Sequence, residues 1–96
     1  MAKKANVYRL KLETVSTLKE DVKHQNIEFE FGNHDEIFGI IDAVKSKELF
    51  ETEAEATEFA LGLKLFSEVM LKNKKHPLFE EFQPEFVKFM KKLKAS

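Results

Sequence analysis

The stretch "AEATEFALGLKLFSEVML", residues 54–71, constrains the fold more than any other. Phe59, Leu63, Phe66 and Met70 recur at steps of four, three and four, the spacing of one helix face. Ala56, Ala60, Leu61, Leu65 and Val69 widen that face until few positions in the middle of the helix are left for solvent. A band this broad needs cover from more than one side, so the segment is predicted to be a central helix contacted by strands, by another helix or by a second chain. Thr52, three residues ahead of Glu55, supplies the capping spacing that starts it.

Two segments upstream alternate with a period of two. In "NVYRLKLETV", Tyr8, Leu10 and Leu12 share one face while Arg9, Lys11 and Glu13 share the other. In "NIEFEF", Ile27, Phe29 and Phe31 oppose Glu28 and Glu30. Both patterns predict half-buried strands. Antiparallel pairing would set the basic residues of the first beside the acidic residues of the second, worth a few tenths of a kcal/mol per pair. The connection "STLKEDVKHQ" lacks glycine and proline, so a long turn is expected in place of a tight one.

Asn33 and Glu36 repeat the capping spacing before Ile37, Ile40, Ile41 and Val44, which predicts a helix. Gly39 and Gly62 weaken their helices relative to alanine and so suggest close backbone approach. Further on, "LKNKKHPLFEEFQPEF" reads as a corner. Lys72, Lys74 and Lys75 suit the negative end of the long helix, and the residue before Pro77 is pushed out of helical geometry. Pro77 fits the first position of a new helical turn, "PLFEEF", and Pro84 the start of a last helix striped by Phe86, Phe89, Met90 and Leu93. Leu78, Phe79 and Phe82 are expected to anchor the corner.

The resulting fold class is α+β over a single domain, residues 1–96: a two-stranded antiparallel hairpin followed by three helices, with the apolar sheet face against the long helix. The chain has ten phenylalanines and no cysteine. Its core is therefore expected to rest on aromatic packing, at about 1.5–3 kcal/mol for each buried ring. Neither disulfides nor thiolate chemistry is open to it. A two-stranded sheet is marginal by itself and has two open edges, so a symmetric homodimer is expected in which strands or long helices meet.

Chemistry is sparse. His24, His34 and His76 do not cluster at metal-ligand spacing; His34 with Asp35 and Glu36 is the nearest approach. No serine has the flanking glycines of a nucleophile elbow, and three isolated glycines make no phosphate loop. No catalytic residue, metal ligand or cofactor site is assigned. The start of the chain does not read as a signal peptide, and no apolar run approaches the length of a membrane helix, which points to a cytoplasmic protein.

Charge is uneven: residues 25–58 carry two basic and ten acidic groups, residues 59–96 eight and four. The leading expectation is a non-enzymatic protein-interaction or regulatory module acting through the acidic middle or the basic C-terminal face, with Lys72, Lys74, Lys75, His76, Lys91 and Lys92 as partner-binding candidates. The alternative is a nucleic-acid-binding protein using the same lysines. It is disfavoured by the interleaved glutamates and by the absence of arginine from that region. A third class, an enzyme built on His76, requires an enclosed pocket with that ring facing inward.

With "ANVYRLKLE" and "EFALGLKLFSEVMLKNKKHPLFEEFQPEFVKFMKKLK" in hand, the chain resembles a family of short bacterial proteins known only as a domain of unknown function. The segment K-H-P-L-F-E-E is its most distinctive part, and the likeness spans almost the whole length. It implies a bacterial, cytosolic protein and transfers no functional residue.

Overall fold

The structure, a computed structural model, describes residues 5–96. Among them are two strands, β1 (Asn6–Glu13) and β2 (Asn26–Asn33), followed by four helices: α1 (Ile37–Ser46), α2 (Glu53–Lys72), α3 (Pro77–Glu80) and α4 (Phe82–Ala95). The chain divides into two compact units, one ending at Asp35 and the other Glu36–Ser96.

In the first unit the strands pair antiparallel and bring the basic and acidic residues together as expected, with Arg9 opposite Glu30, Lys11 opposite Glu28 and Leu10 opposite Phe29. The Arg9 guanidinium lies 2.6 Å from the Glu30 carboxylate and 3.5 Å from that of Glu28. All three side chains are exposed, so the pairs contribute at most about 1 kcal/mol. On the opposite face Tyr8 and Phe31 stack at 5.7 Å and Phe29 and Phe31 at 5.9 Å. Farther along the ribbon the cover is lost: Leu12, Ile27 and Phe29 are exposed. Thr14 closes the hairpin, its N–H and hydroxyl both donating to the Gln25 carbonyl at 3.0 Å. The intervening ten residues carry Val15, Leu18 and Val22, all exposed.

The junction after β2 differs from the predicted capping box. Asn33 is buried, but its side chain accepts from the Asp35 N–H at 2.9 Å, closing a turn on itself. The N-cap of α1 is Glu36, whose carboxylate accepts from the N–H groups of Phe38 and Gly39 at 2.9 and 3.3 Å. The helix thus begins at Ile37, because a short side chain that folds back two residues cannot also reach the third.

In the second unit α1 packs against α2. Ile37, Ile41 and Val44 are buried on α1, and Ala56, Ala60, Ser67 and Met70 on α2. Here the expectation of an aromatic core fails. The buried apolar side chains are all aliphatic, while none of the ten phenylalanines is buried. The two alanines explain why: small side chains let the backbones of α1 and α2 approach, and the space between them admits isoleucine and valine but no ring. The turn between the two helices passes through Glu48, at φ 55°, a left-handed conformation that glycine would adopt with less strain.

The Thr52 cap behaves as the sequence predicted, its hydroxyl accepting from the Glu55 N–H at 3.1 Å. Thr52→Ala should cost about 1 kcal/mol. That corresponds to a fall of roughly 4–8 °C in the thermal midpoint of a chain this size, measurable by circular dichroism.

The corner after α2 keeps the helical turn expected at Pro77, as a one-turn helix beside the three longer ones. The last helix differs from expectation, since α4 starts at Phe82, two residues before Pro84, which occupies its third position. Proline is tolerated there because the first-turn N–H groups have no partner within a helix. Of the three proposed anchors only Phe79 is partly covered, whereas Phe82 is exposed and Leu78 is 73% exposed.

Candidate functional site

The site is built from what the core leaves out. With Ala56, Ala60 and Met70 turned toward the interior, the rings at positions 59 and 66 lie on another flank of α2 and meet α4. Phe66 is the hub: its ring sits 6.1, 5.9 and 6.4 Å from those of Phe79, Phe82 and Phe86, with interplanar angles of 66–74°. Two turns earlier Phe59 meets Phe50 at 5.0 Å and Phe89 at 6.3 Å. Edge-to-face contacts of this kind are worth about 0.5–1.5 kcal/mol each beyond their buried area. Because Phe66 pairs with Phe82 and Phe86, and Phe59 with Phe89, α4 runs antiparallel to α2.

The rings bridge α2 and α4 without filling the space above them. An open groove of about 750 Å³ remains, lined by Phe50, Phe59, Phe66, Phe82, Phe86 and Phe89, with Leu63 and Gly62 on α2 and Glu55 and Glu58 at one end. A Cβ built on Gly62 would meet nothing within 4 Å. The close approach expected at this glycine is therefore not present within the chain; its missing side chain leaves the groove open instead. Gly39 is likewise uncrowded, the nearest atom to its added Cβ being a Glu36 carboxylate oxygen at 3.8 Å.

The partner-binding candidates read from the sequence fall elsewhere. Lys72, Lys74, Lys75 and His76 are exposed at and just beyond the C-terminal end of α2, and Lys91 and Lys92 are exposed on α4. Lys91 borders the same niche as Met70 and Leu71, near the C-terminal end of α2. His76 is exposed and its Nδ1 accepts from the Leu78 N–H at 3.1 Å, capping α3, with its ring 5.9 Å from that of Phe79. An inward-facing His76 in an enclosed pocket is thus excluded.

His34 lies 3.6 Å from the Asp35 carboxylate, but the Glu36 carboxylate that would complete a metal-like trio is engaged in capping α1. Among the described residues no group of three or more histidines and acids is placed to hold a metal ion. Nor is any helix of the described residues long and apolar enough to cross a membrane.

The aromatic groove was not identified from sequence. Periodicity marks Phe59, Phe66, Phe82, Phe86 and Phe89 as apolar-face residues, and such residues are ordinarily read as interior. The available signal was arithmetic: α2 carries apolar residues on more of its circumference than α1 and α4 can cover.

Comparison with known proteins places this architecture. Residues 6–95 match the family described as a domain of unknown function with solved structure, DUF3861, and the chain belongs to that family. It is similar to the crystal structure of a protein of unknown function from Pectobacterium atrosepticum, with 36% sequence identity and a TM-score of 0.83. That match covers 96% of this chain and 99% of the other. No curated protein matches the sequence.

Proposed function

We propose that this protein is a non-enzymatic protein-interaction module whose docking surface is the phenylalanine groove between α2 and α4. The observation that carries the reading is that none of ten phenylalanines is buried, while six of them line one open groove. Phe66, Phe82 and Phe89 are each 44–45% exposed within it, beside the half-buried Phe50, Phe59 and Phe86, and several large rings left open to solvent on one groove mark a surface suited to a partner. Covering the exposed half of a phenylalanine contributes about 1 kcal/mol, so a partner seated across several of these rings gains several kcal/mol before any polar contact. The groove's lining is apolar except for Glu55 and Glu58 at one end, which favours a partner with an apolar ridge over a small polar substrate. The reading moves the docking surface from the acidic middle and the lysine-bearing ends to the helix flank between them.

Phe82 stands at the rim and is 44% exposed, so a photoreactive benzoyl-phenylalanine can replace it with little disturbance. Illumination of cells producing that variant should give a discrete cross-linked species of higher mass. The same label at exposed Lys88 serves as the control. Labelling at position 82 no stronger than at the control would remove the groove as a docking surface.

A further inference from the structure

We infer that the occupant of the groove is a second copy of the same chain, the two α2 helices packing antiparallel about a twofold axis level with Leu65. The inference rests on the reading of the groove as a docking surface and identifies its partner. Along the open flank of α2 run Glu58, Gly62 and Phe66, which line the groove, and Val69 and Lys72, which continue that flank beyond it, each exposed, at steps of four, four, three and three. That line is acidic at one end and basic at the other. It also holds a notch at Gly62, over which the chain places nothing, and a knob at Val69, which is 52% exposed.

The geometry is self-complementary. Glu58 and Lys72 lie seven residues to either side of Leu65, about 10 Å each way at 1.5 Å per residue. An antiparallel crossing at that level sets Glu58 of one copy beside Lys72 of the other. It also sets Val69 of one over Gly62 of the other. The twofold repeats both contacts, as an isologous interface must. A parallel arrangement would instead set Glu58 against Glu58 and Lys72 against Lys72, and would leave each notch facing a notch. A heterologous partner needs only an apolar ridge. A second copy supplies the ridge, the fit to the missing Cβ and the matched charges from residues already on the flank.

Charge exchange tests this directly. By sedimentation equilibrium at micromolar concentration the chain should show twice its monomer mass. Glu58→Lys alone, or Lys72→Glu alone, should weaken the dimer at least about tenfold, because each change replaces two attractions by two repulsions. The double exchange, Glu58→Lys with Lys72→Glu, should restore it. Gly62→Leu fills the notch and should give a monomer with its helical signal intact, since leucine favours helix over glycine.

A monomeric native chain overturns the inference, as does a dimer indifferent to both single exchanges and to Gly62→Leu. The cross-link at Phe82 separates this inference from the broader reading. An adduct between two copies supports both. An adduct with a different protein refutes the second copy and leaves the groove as a docking surface, and no adduct refutes both.

Discussion

Met70→Ala should lower the unfolding free energy by about 3 kcal/mol, within the 2–5 kcal/mol typical of emptying a buried methionine site. The side chain is 1% exposed and is the largest fully buried apolar group among the described residues. It borders a niche of about 260 Å³ shared with Gln83, Phe86, Val87 and Met90 of α4, so its loss enlarges a space already imperfectly filled. Folded chains of this length have roughly 5–14 kcal/mol to lose, and the thermal midpoint should fall by roughly 10–20 °C. Met70→Leu conserves volume and should cost under about 1.5 kcal/mol. Equal losses in the two variants would mean that the shape of methionine matters at this seam more than the volume it fills. Unfolding in urea, with the slope compared across variants, makes the distinction.

Phe66→Ala is the second large effect. Truncating a phenylalanine in a core costs 3–5 kcal/mol, but this ring is 45% exposed, and its value lies in three edge contacts to Phe79, Phe82 and Phe86. About 2–3 kcal/mol is expected, with a midpoint roughly 10–20 °C lower. The loss should be concentrated in α4, which joins α2 through these rings and through Phe59 with Phe89. Amide exchange should therefore accelerate across α4 while the amides of α1 keep their protection. Uniform acceleration would show that the hub supports the whole helical unit. All midpoints are compared at one protein concentration, because association makes them depend on it.

What was legible in the sequence was the part governed by local rules. The two strands and their antiparallel pairing followed from period-two alternation and from the opposite signs of Arg9 and Lys11 against Glu28 and Glu30. The Thr52 cap followed from its spacing to Glu55. The Asn33 and Glu36 spacing looked the same and gave a different structure, because asparagine can satisfy the second N–H along the chain as readily as the third. Pro84 marked a helix start correctly to within two residues, but proline is acceptable anywhere in the first turn and does not say where that turn begins.

The groove was illegible for a different reason. Periodicity reports which residues share a face, whereas coverage depends on how near the facing backbone comes. Ala56 and Ala60 draw α1 close, while phenylalanines at positions 59, 66, 86 and 89 hold α4 off. The same letter that suggests a sealed interior thus acts here as a spacer. Gly62 carries the converse lesson, since a missing Cβ signals proximity only if something stands opposite it.

The hairpin's long connection sets a slower clock for its unit. Closing ten residues in place of a two-residue turn adds on the order of 1.4 kcal/mol of loop entropy, about a tenfold delay in the first meeting of β1 and β2. No glycine or proline shortens that search. Newly made chains therefore spend longer with Val15, Leu18 and the inner residues of both strands open to collision with one another, and the paired bonds from Thr14 to Gln25 end that exposure only after the strands have met.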